Sequence, residues 1–184
     1  MDPYNFLINV LIYAPSVIFA ITLHEAAHGY VAKHFGDTTA YMLGRVTLNP
    51  LKHIDLLGTI VVPLVTSVAG FIFGWAKPVP VNFANLRHPK RDMLWVAAAG
   101  PGSNIVQALL WGLLARMLYS AETSVATYWF QVAEAGILVN LILAILNLFP
   151  ILPLDGGRIL ASLLPTRLSH VYQGTERYGM IILI

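Results

Sequence analysis

The chain has 184 residues, 57% hydrophobic and 11% charged, with a formal net charge of +2 and a mean hydropathy of +0.69. Soluble domains carry about 25% charged residues, so this composition predicts one domain, residues 1–184, whose core is built from membrane spans. The small net charge excludes an electrostatic nucleic-acid binder, and the lack of cysteine excludes disulfides, thiolate metal ligands and a thiol nucleophile.

The first predicted span runs from about Asn5 to His34, longer than the roughly 20 residues a bilayer requires, so its end emerges from lipid. It lacks a basic leader and continues into a chemical motif, so it reads as a retained span rather than a cleavable signal. That motif is His24-Glu25-Ala26-Ala27-His28. Residues four apart on a helix differ by about 40° around the axis, so both imidazoles share a face suited to a metal ion. Glu25 between them is placed to take a proton from activated water. Ionisable groups at membrane depth are costly, which favours a functional reading over a packing one.

Further along, Gly58 to Gly74 is apolar but short, with Pro63 inside it. It either crosses the bilayer or re-enters and returns. Spans follow at about Met93 to Tyr119 and about Tyr128 to Phe149, and Tyr178 to Ile184 opens what looks like a further span. Re-entry of 58–74 places every Lys and Arg except Arg116 on one side and Glu122 on the other. The positive-inside rule then makes the basic side cytoplasmic. The expected fold is therefore an all-α integral membrane protein, with three core spans, a short re-entrant or extra segment and a partial final span.

A third metal ligand has three candidates. His34 lies about 120° around the helix from His28 and cannot converge with it. His53 and Asp55 sit in a polar loop and form a weaker pair. Asp155 is the stronger candidate, in Asn147-Leu148-Phe149-Pro150-Ile151-Leu152-Pro153-Leu154-Asp155-Gly156-Gly157-Arg158. Its prolines end a helix and its glycines permit unusual backbone, a way to turn a carboxylate back into the protein. The competing reading makes Asp155 an N-cap of a helix starting near Gly157. Arg158 either snorkels to the interface or pairs with Asp155.

These motifs resemble those of the site-2 proteases, zinc metalloproteases that cut peptide bonds within the membrane. The resemblance rests on the His24–His28 motif, the Asn147–Arg158 stretch and Gly100-Pro101-Gly102-Ser103-Asn104. Gly44-Arg45-Val46-Thr47-Leu48-Asn49-Pro50 and Gly74-Trp75-Ala76-Lys77-Pro78-Val79-Pro80-Val81-Asn82 look like the compact bacterial branch, which lacks PDZ and paired nucleotide-binding (CBS) domains. Leu56 stands where that branch commonly has proline.

The resemblance implies one Zn2+ per chain on His24, His28 and Asp155, with Glu25 activating water. It also favours Asn104 and Asn147 as contacts to the substrate or its oxyanion. The implied substrate is a single-span membrane protein or peptide, cut in a multi-pass protein of a bacterial or archaeal cell membrane, near the cytoplasmic side. No signal for an oligomeric state is present. Two other classes fit the composition. An idle scaffold is disfavoured by the intact His24, Glu25, His28 and Asp155, and a metal transporter by the lack of paired repeats.

Overall fold

A computed structural model of the chain describes residues 3–62, 65, 66 and 77–183. Among these there are helices and turns and no strand. The helices are α1 (Pro3–His34), α2 (Thr39–Met42), α3 (Pro89–Leu118), α4 (Ser124–Asn147), α5 (Asp155–Leu163), α6 (Thr166–Gln173) and α7 (Glu176–Leu183). Three of them, α1, α3 and α4, are long and apolar enough to cross a membrane.

The three expected core spans are all present, with shifted ends. Helix α3 begins at Pro89 rather than Met93. Pro89 needs no amide partner in a first turn, and the Asp92 carboxylate accepts the His88 amide at 2.8 Å. Helix α4 begins at Ser124 rather than Tyr128 because the Thr123 hydroxyl oxygen caps it, accepting the Ala126 amide at 3.2 Å. It ends at Asn147, ahead of the helix-breaking Pro150.

Burial in the bundle is reversed relative to a soluble core. Leu7, Leu11, Phe19, Leu109 and Ile145 are exposed, whereas Ser16, Thr22, Asn104, Gln107 and Asn140 are buried. In lipid the apolar side chains face outward, and polar groups bond between helices. The Ser16 hydroxyl donates to the Val132 carbonyl at 2.9 Å, and Tyr128 donates to the Leu11 carbonyl at 3.0 Å. These contacts run α1 and α4 in the same direction. Helix α3 is antiparallel to both, since Ala20 lies beside Gln107 and the Arg87 amide donates to the Phe35 carbonyl. Small residues let the axes approach: a Cβ at Gly136 would stand 2.5 Å from the Trp111 ring.

Most of 58–74 lies outside the described residues, including Pro63 and both later glycines. The flanks of that segment meet, however. The Lys77 amide donates to the His53 carbonyl at 3.0 Å. Toward the C-terminus, α7 begins two residues before Tyr178, where a further span is expected to open. Gly179 lies so close to the Leu152 carbonyl that a Cβ there would overlap it. Thus α7 packs on the loop leading to α5.

Candidate metal centre

The His24 and His28 rings point from α1 toward α3, and their Nε2 atoms lie 3.1 Å apart. The Asp155 Oδ2 atom is 3.3 Å from the first and 3.2 Å from the second. Among the described residues this trio is the one group of three or more such side chains able to share a metal ion.

The opposite ring nitrogens fix the tautomers. His28 Nδ1 faces the Val96 carbonyl at 2.7 Å, and a carbonyl only accepts. His24 Nδ1 faces the Asn104 Oδ1 atom at 2.6 Å. The surrounding network assigns the Asn104 orientation, because its Nδ2 donates to Asn140 Oδ1 at 2.8 Å and to the Ala20 carbonyl at 3.3 Å. Asn140 in turn donates to the Gly136 carbonyl. Both imidazoles therefore carry their proton on Nδ1 and turn an Nε2 lone pair inward.

Three electron-pair donors thus converge with no hydrogen between them. Asp155 Oδ2 is buried without a hydrogen-bond partner. Such a cluster is repulsive until a cation sits within it. Its spacing matches a tetrahedral zinc site, where ligands at about 2.0–2.1 Å lie roughly 3.3–3.4 Å from one another. The residues fit one Zn2+ and leave a fourth position open.

Asp155 reaches this place because α4 stops and the chain doubles back. A Cβ at Gly156 would stand 2.1 Å from the Leu148 carbonyl oxygen, and one at Gly157 would stand 2.6 Å from the Ile151 carbonyl carbon. Only glycine permits backbone to pack on backbone so closely. Asp155 is the first residue of α5, with Leu154 as its N-cap, so the capping alternative does not describe it. Arg158 does not pair with Asp155. Its guanidinium donates to Glu176 at 3.1 Å and lies 5.0 Å from the Phe83 ring centre.

Glu25 and Asn147 share the cleft with the trio, a space of about 470 Å³ also walled by Pro78, Val79 and Phe83. The Val79 amide donates to Glu25 Oε2 at 2.6 Å. Asn147 uses its Nδ2 on the Leu143 carbonyl one turn earlier, at 3.0 Å. Asn104 is fully buried, behind His24. The weaker candidates lie elsewhere: His34 is exposed, His53 bonds the Thr47 carbonyl, and Asp55 accepts the Gly58 amide.

Residues 77–85 cross the cleft as a strap held at several points. Arg45 donates to the Lys77 carbonyl at 2.9 Å. Fully buried Asp37 accepts the Asn82 amide at 2.7 Å, the Thr39 amide at 3.0 Å, Asn85 Nδ2 at 3.2 Å and the Thr39 hydroxyl. Burial pushes the Asp37 carboxyl up, but these donors more than offset that and hold its pKa below the usual aspartate value.

Sequence reasoning did not single out Val96, Asn140, Val79 or Asp37. Asn140 is a lone amide in an apolar run, a readable signal. Val96 and Val79 act through their backbone, which leaves no mark in residue identity.

A two-histidine, one-aspartate donor set beside a glutamate, inside a three-span helical core, is an arrangement that suits a membrane metalloprotease. The family described as "Peptidase family M50" matches residues 114–184. A Bacillus subtilis protein named "Putative zinc metalloprotease YwhC" is 40% identical over 173 residues, covering 92% of this chain and 76% of its own. "Putative zinc metalloprotease Rip2" of Mycolicibacterium smegmatis is 29% identical over 169 residues, and its namesake in Mycobacterium tuberculosis H37Rv is 26% identical over 167. The present chain spans 62% of the length of each of these two. No solved structure matches it. The chain belongs to peptidase family M50, the site-2 proteases, and is an integral membrane zinc metalloprotease.

Proposed function

We propose that this single domain is an intramembrane endopeptidase that hydrolyses peptide bonds in the membrane spans of single-pass proteins or peptides, near the cytoplasmic side. The observation that carries the reading is the convergence of three lone pairs from His24, His28 and Asp155 beside Glu25. His28 and His24 lie six and ten residues from the end of α1, about 9 and 15 Å at 1.5 Å per residue. Both histidines lie within Leu7–His34, the stretch of α1 long and apolar enough to cross a membrane.

His24, His28 and Asp155 hold the ion. When bound, zinc acidifies water and polarises a peptide carbonyl. Glu25 accepts the proton of the attacking water and returns it to the leaving amine. The Val79 amide fixes one Glu25 oxygen and leaves the other for this exchange. Asn104 acts through His24, holding its tautomer and ring plane, rather than by touching substrate. Asn147 is the side-chain amide left in the cleft for a substrate or oxyanion contact. A substrate helix hides its carbonyls in its own hydrogen bonds, so it must unwind locally before it is cut.

Support for the orientation comes from the meeting of His53 and Lys77. Flanks that touch are what a returning segment requires, and its return gathers the basic residues on the side where α1 and α4 end.

The test is cleavage of a single-span reporter by the purified, zinc-loaded protein. Glu25→Gln is expected to retain one zinc while losing about 10²–10⁴-fold in rate. Equal cleavage by both proteins would remove Glu25 from the mechanism.

A further inference from the structure

Gly100 lies on α3, one turn before Asn104 and one turn after Val96, the two residues that hold the metal-site imidazoles by their Nδ1 atoms. A Cβ built on Gly100 would stand 2.3 Å from His28 Nε2, 2.6 Å from His24 Nε2 and 2.6 Å from His24 Cε1. Gly102, two residues on, has nothing within 4 Å of such a Cβ, and Gly136 meets only Trp111.

These distances separate Gly100 from a packing glycine. The neighbours it would strike are the two imidazoles at their Nε2 ends, His24 through its Nε2–Cε1 edge. A methyl at 2.3 and 2.6 Å is far inside contact distance of both rings, so alanine here would drive the two Nε2 atoms from the positions that converge on Asp155. The rings cannot swing aside cheaply. His28 is fixed by the Val96 carbonyl and His24 by the buried Asn104–Asn140 chain.

We infer that Gly100 is a positioning residue that reserves room for the Nε2 ends of the two imidazoles: α3 supplies a wall without a side chain, which lets both rings converge on Asp155. The inference rests on the reading of His24, His28 and Asp155 as a zinc site. It goes beyond that reading by making occupancy depend on a residue with no donor atom in its side chain.

The experiment measures zinc per chain and zinc affinity in the purified, detergent-solubilised full chain. Three proteins are compared: wild type, Gly100→Ala and Gly102→Ala. Cobalt absorption serves as a second readout of tetrahedral coordination. Wild type and Gly102→Ala are expected to hold one ion each. Gly100→Ala is expected to bind at least about 10- to 100-fold more weakly, with its helix content kept.

Wild-type affinity in Gly100→Ala would overturn the inference while leaving the zinc site standing. A wild type that binds no zinc would overturn the site itself. If Gly100→Ala fails to fold, the same change is made in a His24→Ala, His28→Ala background, where the struck rings are gone. Recovery of the fold there is expected, and failure to recover would place the clash elsewhere and sink the inference.

Discussion

At the scale of single residues, the proposed metal ligands are only half of what makes the site. Each imidazole is a usable ligand because its other nitrogen is held, and the two holders differ in kind. Asn104→Ala removes the acceptor for His24 Nδ1 and leaves a buried gap beside Asn140. It is expected to weaken zinc binding about 10- to 100-fold, read by competition with a chelator. Asp37 gives a pH-dependent effect. Its pKa is depressed in the fold, so its contribution is whole above the ordinary aspartate value of about 3.9 and is lost as pH falls through the folded value. Asp37→Asn is expected to cost about 1.5–3 kcal/mol at pH 6, the scale of a hydrogen bond to a charged group. Thermal unfolding at decreasing pH should show the gap between variant and wild type closing on the acid side. A gap that stays constant to pH 3 would contradict this assignment.

Helices, loop and strap determine which residues meet. The His24–His28 face was legible in the sequence, because a four-residue spacing on a helix leaves no freedom about which way the rings point. Asp155 was legible for a different reason: Pro150 and Pro153 cannot continue α4, and Gly156 and Gly157 allow the return. The choice between a ligand and a helix cap was not legible, since both want an aspartate at a helix start. The contact of Gly156 with the Leu148 carbonyl shows how tightly that return is built. Gly156→Ala should displace the loop and reduce zinc content, whereas the family motif alone predicts only that the position matters. The strap was not legible at all. Its hold on Glu25 comes from the Val79 amide, and any residue but proline supplies an amide. Val79→Pro removes that donor between two existing prolines. It is expected to lower turnover of a reporter while leaving zinc bound, and unchanged turnover would show that Glu25 needs no such support.

Across the whole molecule, composition predicted the environment, and burial follows from it: amides and hydroxyls inside, leucines and phenylalanines outside. The order of the spans was readable, but their ends were not. Thr123 and the His88–Asp92 cap extend α4 and α3 by one turn each beyond where the hydrophobic runs begin. Topology carries its own test. Single cysteines near Lys77 and Arg167 are both expected to react with a membrane-impermeant reagent from the cytoplasmic side. Labelling of the first only from outside would mean that the segment after His53 crosses the bilayer.

The most direct measurement is to locate the bond cut in a single-span reporter reconstituted with the protein in lipid vesicles, by mass spectrometry of both fragments. The expected result is a pair of new termini inside the hydrophobic span, toward the side where α1 and α4 end, absent with Glu25→Gln. Termini found only in the soluble flanks of the reporter would contradict cleavage within the membrane.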